Sequence, residues 1–279
     1  MIRKLQPEPR HGPFREVCVN NPRRLETVKA LMVLAAAWSL LLPTLLQPEI
    51  NLRSAFSTWV CRLTNTGSVL GATVIACCLV FLTVFRAKAA WRSSAREALV
   101  HVVVLSLLLA GGASLNEYVI KPGLAVHRPN IVLLAEERVL EMTSEQFYAS
   151  MDKQERRDHL RRVLMDSDAG IRSLSPQVRE HWIHEAGYSL PSGHAFAAMM
   201  LVAYFLLAST ASKRRHHWIY WLLPWWGVAI GWSRVLLQVH RPVDVILGGL
   251  MGIVFGGVGV WLSLRLLRRF HRVSAREGS

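Results

Sequence analysis

The sequence contains few cysteines and few acidic residues. Cys18 and Cys61 stand far apart, and the adjacent Cys77 and Cys78 lie inside an apolar run. These positions argue against a disulfide framework and do not match the spacing of a metal site. Asp and Glu number 19 against 33 Lys and Arg, which gives a net charge of +14. Because the chain has no long Lys/Arg tract, this charge does not indicate nucleic-acid binding. The chain also has no internal repeat or low-complexity segment.

Hydrophobic residues are abundant. They make up 52% of the chain, and the mean hydropathy of +0.26 is too apolar for an ordinary soluble domain. The basic residues fall in short runs that flank the apolar segments, as they do in membrane proteins. Composition therefore predicts an integral membrane protein.

Six apolar segments approach the ~20 residues that a transmembrane helix requires. The predicted fold is therefore all-α, an integral membrane bundle of six helices. Residues 1–26 lack the apolar region of a secretory signal, so the first span is expected to remain as an anchor. The predicted domains are a tail at 1–27, a six-span domain at 28–267 and a second tail at 268–279. The predicted spans are Val28–Leu46, Ser68–Phe85, Ala98–Ile120, Gly193–Thr210, Trp218–Leu236 and Val243–Leu267.

Basic residues alternate between successive loops. The two tails and the loops after the second and fourth spans are rich in Lys and Arg, whereas the loop after the first span has only Arg53 and Arg62. By the positive-inside rule, both termini are predicted to be cytoplasmic. We therefore expect a multi-pass protein of the cytoplasmic (inner) membrane whose residues 121–192 face the periplasm or exterior.

This long outer segment is predicted to contain a helical cap at about 130–190. Thr143 and Gln146 have the spacing of a capping box and predict a polar helix that continues to about Met165. Ser175 and Pro176 are typical of a second helix start. That helix is expected to end near Ala186.

The stretch 233–244, SRVLLQVHRPVD, carries an arginine, a histidine and an aspartate. If a helix begins at Pro242, His240 and Asp244 are four residues apart and can face each other. A carboxylate that holds one imidazole nitrogen leaves the other nitrogen more basic. Arg234 offers a planar set of donors suited to phosphate. The alternative is a short interhelical loop whose charges reach the membrane interface.

Two more polar clusters enter from the same predicted membrane face. KPGLAVHRP follows the third span and supplies Lys121 and Arg128, and PSGH precedes the fourth. Ser192 and Gly193 stand at a helix N-terminus, where backbone N–H groups are expected to bind an anion. An ordinary helix start explains the first three residues of PSGH but does not explain His194. The convergence predicts a shared anion site.

These residues match a known pattern. Lys121-x6-Arg128-Pro129, then PSGH at 191–194, then Ser233-Arg234-x5-His240-x3-Asp244 resembles the three-part signature of the type-2 phosphatidic acid phosphatase family. Every signature position is present. Loop length and HWIHEAGYSLPSGH, residues 181–194, resemble in particular the bacterial phosphatidylglycerophosphate phosphatases.

The resemblance implies a role for each residue. His240 is expected to be the nucleophile that forms a phosphohistidine, with Asp244 orienting it. His194 is expected to be the general acid and then the base. The resemblance implies neither metal nor cofactor. The expected phosphate-binding residues are Lys121, Arg128, Arg234, Ser192 and Gly193.

The implied function is a membrane lipid phosphatase acting at the outer face. Candidate substrates are phosphatidylglycerophosphate, which the narrower resemblance favours, undecaprenyl pyrophosphate, phosphatidic acid and lysophosphatidic acid. One alternative is a phosphotransferase that passes phosphate to another lipid, such as lipid A. Another is a non-catalytic lipid-phosphate carrier, although binding alone needs neither a nucleophile nor a proton donor. Six spans argue against the soluble acid phosphatases and haloperoxidases that share the signature. No protein partner is evident, and the lipid bilayer is the expected environment.

Three more histidines have less specific surroundings. His127 adjoins Arg128, and an interfacial position is favoured over contact with substrate. His181 and His184 lie on the predicted cap helix beside Glu180 and Glu185. A solvated helix face is favoured there over a metal site.

Overall fold

The structure, a computed structural model, describes residues 22–85, 91–165, 174–211 and 218–277. Every regular element within those ranges is a helix, which agrees with the predicted all-α class. A 3-10 helix at Leu42–Leu46 and a π-helical turn at Asn116–Ile120 lie between α-helices. The α-helices are α1 (Pro22–Ser39), α2 (Ala55–Asn65), α3 (Val69–Phe85), α4 (Trp91–Leu115), α5 (Lys121–Leu124), α6 (Pro129–Glu136), α7 (Ser144–Ser150), α8 (Lys153–Met165), α9 (Pro176–His184), α10 (Gly193–Ala211), α11 (Trp218–Leu236) and α12 (Pro242–Glu277).

Four helices in the described ranges are long and apolar enough to cross a bilayer, and a bent pair makes a possible fifth. The pair is α2 with α3, whose axes differ by 59°. The predicted fifth span coincides with α11, which has the length of a span but is not among these four. Its five tryptophans and Arg234 lower its mean hydropathy. The six-span count is therefore not confirmed, although a multi-pass membrane protein is. The four helices are Arg24–Leu46, Ser94–Leu124, Gly193–Thr210 and Pro242–Phe270.

Helices α10 and α12 pack with their backbones almost in contact. A Cβ on Gly248 would lie 2.5 Å from the carbonyl oxygen of Ser192, and a Cβ on Gly256 would lie 2.6 Å from that of Met200. Gly252, between them, faces the carbonyl oxygen of Phe196. Glycines spaced four apart allow such approach in membrane helices, where close van der Waals packing holds helices together. This contact fixes the start of α10 against the start of α12.

Helices α6 to α9 lie within the segment at about 130–190 where a helical cap is predicted, and we call these four helices the cap. The capping box at Thr143 is present: its side chain accepts from the backbone N–H of Gln146, and the Gln146 side chain accepts from that of Thr143. The single helix predicted from this box is nevertheless wrong, because the chain breaks at residues 151–152. Asp152 then caps α8 by accepting from the backbone N–H of Gln154 at 2.7 Å. Ser175 caps α9 as predicted.

The cap has its own apolar core beside the bundle. Phe147, Leu160 and Trp182 are buried in it together with Leu237 and Val239 from the connection between α11 and α12. The Trp182 indole N–H donates to the carbonyl of Leu237 at 2.9 Å. This core therefore ties the cap to the loop that carries His240.

Several predictions fall on residues outside the described ranges. These include most of the N-terminal tail with Cys18, and much of the basic loops at 86–90 and 212–217. Cys61 is buried and free, and Cys77 and Cys78 are exposed and free. The C-terminal tail predicted from 268 onward begins as a continuation of α12, which reaches Glu277.

Candidate active site

His240 and Asp244 face each other at the start of α12. Pro242 is the first residue of that helix, so Asp244 lies in its first turn and His240 in the loop before it. The Nδ1 atom of His240 is 3.3 Å from Oδ2 of Asp244. Both residues are only 2% exposed. The spacing read from the sequence therefore corresponds to a buried contact.

Asp244 is held by two further donors. The hydroxyl of Ser189 donates to Oδ2, and the backbone N–H of Arg241 donates to the same oxygen at 2.8 Å. Ser189 also lies 3.3 Å from Nδ1 of His240. With its carboxylate oriented this way, Asp244 accepts the Nδ1 proton, and the lone pair of the imidazole of His240 lies on Nε2. Sequence analysis missed Ser189, because nothing local links it to a residue 55 positions away.

Arg128 occupies the other side of the imidazole. Its Nη1 is 3.1 Å from Nε2 of His240 and donates to the carbonyl of Val239 at 3.0 Å. Its Nε donates to the carbonyl of Gly187 at 2.8 Å. Burial, then the charges of Arg128 and Arg234, hold the pKa of His240 well below its ordinary value. The ring is therefore neutral, as a nitrogen nucleophile requires.

Glu185 joins two of the predicted phosphate-binding arginines. One carboxylate oxygen is 2.8 Å from Nη2 of Arg128, and the other pairs with Nη2 of Arg234. Burial alone would raise the pKa of Glu185, but the two guanidinium charges hold it well below its ordinary value. Arg234 is fully buried and also donates to Nε2 of His181 at 2.9 Å. Arg234 thus reaches the site through Glu185.

The sequence predicts that His181 and His184 lie on a solvated face of α9. This prediction is wrong for His181. The side chains of His181 and Glu185 are only 10% and 12% exposed, whereas His184 is 60% exposed. Burial, then Arg234, lowers the pKa of His181 to about 3. Sequence analysis placed Glu185 on this helix but gave no signal that it would pair with arginines from two distant segments.

Lys121 is held by a carboxylate from the preceding π-helical turn. Glu117 accepts from Nζ of Lys121 at 2.9 Å, and its other oxygen pairs with Nζ of Lys153 on α8. Such local departures from α-helical geometry often occur at functional sites. Lys121 from the bundle and Lys153 from the cap thereby share the Glu117 carboxylate beside the site.

The expected anion site at the start of α10 is only partly available. The backbone N–H of Ser192 donates to the carbonyl of Asp244 at 2.9 Å, and Ser192 is fully buried. The prediction that this N–H faces an anion is therefore wrong, because the close packing of α10 on α12 consumes it. Gly193 and His194 do line the cavity described next.

A cavity of about 880 Å³ connects these groups. One end is polar and contains Lys121, Arg128, His194 and His240, with Glu117 and Glu185 beside them. The rest extends between α3 and α4 along apolar side chains. That arm is lined by Val69, Ala72, Ala76, Val80, Val102, Leu105 and Leu109. The arrangement suits a molecule with an anionic head and an apolar tail.

His127 does not join the cavity lining in the described ranges. Its Nδ1 lies 3.1 Å from the hydroxyl of Ser144, and its ring stacks on Tyr148 at 4.5 Å. Those contacts give it a structural place in the cap. Among the described residues, no group of three or more His, Cys, Asp and Glu side chains has the arrangement of a metal site.

Comparison with known proteins identifies the class to which this geometry belongs. Residues 98–268 match the PAP2 superfamily, and the chain is a member of that family. Among individual proteins, it is 30% identical to phosphatidylglycerophosphatase B of Haemophilus influenzae over 200 residues, which is 69% of this chain and 76% of the relative. It is 26% identical to phosphatidylglycerophosphatase B of Escherichia coli K12 over 172 residues, 61% of this chain. That match spans 63% of the length of the E. coli protein.

Proposed function

We propose that this protein is an integral membrane lipid phosphatase that removes the terminal phosphate of a lipid head group through a phosphohistidine on His240. The observation that carries the proposal is the polar end of the cavity, where Nε2 of His240 lies 3.1 Å from the guanidinium of Arg128. The cavity therefore combines a neutral nucleophile, a cation for the phosphate and an apolar arm for a lipid tail.

In the first step, Nε2 of His240 attacks phosphorus. The Nδ1 proton stays on the ring and faces Asp244, which stabilises the positive charge that the imidazole gains. The bond from phosphorus to the lipid oxygen breaks, and His194 supplies the proton that the departing alkoxide takes up. Before attack, Arg128 must turn its N–H from Nε2 to a phosphoryl oxygen, so substrate binding itself uncovers the nucleophile.

In the second step, His194, now neutral, takes a proton from water. The water oxygen attacks phosphorus, the bond to Nε2 breaks, and inorganic phosphate leaves. Lys121 and Arg128 offset the charge on the phosphoryl oxygens in both steps. Arg234 acts through Glu185, by fixing the carboxylate that positions Arg128. Because these cations carry the charge, the mechanism includes no metal ion.

The arm between α3 and α4 supports a lipid substrate. Its walls are apolar, and it joins the polar end of the cavity, so an acyl chain and a head-group phosphate can be bound together. The names of the relatives favour phosphatidylglycerophosphate. Undecaprenyl pyrophosphate and phosphatidic acid share the same combination of phosphate and apolar tail, and we include them as further substrates.

The proposed topology has six spans, with α2 and α3 as one bent span and α11 as the fifth. The charge pattern of the loops supports cytoplasmic termini. The cap and the polar end of the cavity then face the periplasm or exterior side of the inner membrane. A lipid can enter this site laterally from the outer leaflet.

The experiment that tests the proposal is phosphate release by purified protein in detergent with EDTA. Phosphatidylglycerophosphate, undecaprenyl pyrophosphate and phosphatidic acid are assayed side by side. We expect release from the first at least, and its loss to background in His240→Ala, because no other group supplies the nucleophile. Substantial activity in folded His240→Ala would contradict the phosphohistidine, and loss in EDTA that added metal restores would contradict the metal-free mechanism.

A labelling experiment on intact spheroplasts tests the orientation of the cap. A cysteine placed at exposed Ser150 in a background without native cysteines should react with a membrane-impermeant maleimide added outside spheroplasts. Reaction only after the membrane is opened would place the cap in the cytoplasm and invert the topology.

A further inference from the structure

Part of the cavity wall comes from the cap and is basic. Lys153 and Arg157 lie one turn apart on α8, and both line the cavity with Lys121 and His240. Residues four apart on a helix are neighbours on one face. Glu117 contacts the ammonium groups of both Lys121 and Lys153. A single carboxylate therefore separates Lys121 from the basic face of α8.

Among the described residues that line the cavity, every Lys and Arg except Arg157 has a carboxylate partner. Glu117 is shared by Lys121 and Lys153, and Glu185 is shared by Arg128 and Arg234. Within the described ranges, Arg157 has no ion pair, and its buried Nε has no hydrogen-bond partner.

The neighbouring arginines on α8 have other partners. The Nε of Arg156 also lacks a hydrogen-bond partner, but its Nη2 donates to the carbonyl of Tyr148 at 2.8 Å. Nη1 of Arg161 lies 3.7 Å from Asp158. A half-buried guanidinium that lines a cavity without an anion partner is suited to bind an anionic ligand.

We infer that Arg157, supported by Lys153, forms a second anion subsite for a lipid whose head group carries two phosphates. This inference rests on the proposed function: the terminal phosphate occupies the site at Lys121, Arg128 and His240. The second phosphate binds the guanidinium on α8. The subsite selects lipids whose head group carries two phosphates over lipids whose head group carries one.

Two substrate chemistries fit this description. In phosphatidylglycerophosphate a glycerol unit separates the phosphodiester from the terminal phosphate, whereas in undecaprenyl pyrophosphate one oxygen joins the phosphates. Glu117 and Lys153 lie between Lys121 and Arg157, which favours two phosphates that a glycerol unit separates. Measuring KM for both lipids shows which of them uses the subsite for its second phosphate.

The test compares Arg157→Gln with the wild-type protein on phosphatidylglycerophosphate, undecaprenyl pyrophosphate and phosphatidic acid. We expect KM for phosphatidylglycerophosphate to rise about tenfold with kcat unchanged, the effect of losing one charge-assisted hydrogen bond. KM for phosphatidic acid should stay within about twofold. The matched control is Arg161→Gln, one turn further along α8 and half-exposed, which should change neither value.

A binding measurement separates this inference from the proposed chemistry. His240→Ala protein and the double variant His240→Ala/Arg157→Gln are titrated with short-chain phosphatidylglycerophosphate and short-chain phosphatidic acid. We expect Arg157→Gln to weaken binding of the first about tenfold and to leave binding of the second unchanged. Equal weakening for both lipids, or none for either, overturns the subsite. Absence of phosphate release by the wild-type protein would overturn the phosphatase proposal, and the binding result would still decide the subsite.

Discussion

The helix bundle and the cap are held together in different ways. In the bundle, α10 and α12 approach through glycines until backbone faces backbone. In the cap, large rings such as Phe147 and Trp182 fill the core, and Trp182 donates a hydrogen bond to the loop before α12. The difference follows from the surroundings. Lipid tails are as apolar as Leu, so membrane helices gain mainly from close packing. The cap, whose helices are shorter, gains from burying large aromatic rings in a core of its own.

The candidate site lies where these two regions meet. On the bundle side, Asp244 orients His240 through Nδ1. On the cap side, Nη1 of Arg128 approaches Nε2 of His240 at the polar end of the cavity, and Glu185 pairs with Arg128. We therefore expect changes to the His240–Asp244 pair to lower kcat, and the change at Arg157 on the cap to raise KM.

The largest expected effect comes from Asp244→Asn. An amide can donate to Nδ1 and stabilise the wrong tautomer of His240, and it carries no charge to stabilise the imidazolium. We expect kcat to fall about 10³-fold, with KM within about twofold of the wild-type value. Steady-state phosphate release measures both. Ser189→Ala, which removes only one donor to Asp244, should cost roughly tenfold in kcat. A rate for Asp244→Asn equal to that of the wild-type protein would mean that the pair is structural.

The glycine packing of the bundle can be broken by a single side chain. In Gly256→Leu the Cβ would lie 2.6 Å from the carbonyl oxygen of Met200 on α10, and a helix backbone cannot yield easily. We expect Tm in detergent to fall by about 5–10 °C, the result of overpacking by roughly 1–3 kcal/mol.

The adjacent Gly257 provides a matched control. A Cβ there meets no atom within 4 Å, so Gly257→Leu adds the same residue to the same helix without the clash. Its Tm should remain within about 2 °C of the wild-type value. Because Leu is a better helix former than Gly, helix propensity cannot cause a loss of Tm in either variant. Equal losses of Tm in the two variants would therefore show that the close approach of Gly256 to α10 is not the cause.

Local features of the site and fold could be predicted from the sequence. The capping box at Thr143, the helix start at Ser175 and the facing of His240 and Asp244 depend on residues no more than four positions apart. The start of α10 at Gly193 was also predicted, because an apolar run follows a turn.

Features that depend on distant contacts could not be predicted. Glu185 binds Arg128 and Arg234, which come from segments 57 and 49 residues away. The N–H of Ser192 is consumed by the carbonyl of Asp244, because α10 and α12 touch. Composition placed α11 among the spans, but its tryptophans reduce its hydropathy.

The smallest expected effect concerns pH and the cap side of the site. The pKa of His181 is about 3 in the folded protein, against an ordinary value of 6.5. Between these values the unfolded chain binds more protons, so the contribution of His181 to stability is fully present above pH 6.5 and decreases as the pH falls towards 3. At pH 5.5 the loss is about 1 kcal/mol, or 2–4 °C in Tm.

His181→Gln isolates this contribution. A glutamine oxygen can still accept from Nη1 of Arg234 but does not titrate near neutral pH. Between pH 7.5 and 5.5, Tm should therefore fall less in His181→Gln than in the wild-type protein. His184→Gln, on the same helix but 60% exposed, should keep the wild-type slope. If His181→Gln and the wild-type protein lose Tm equally, the acid sensitivity arises elsewhere, and the Arg234–Glu185–His181 cluster does not make the cap side more sensitive to acid.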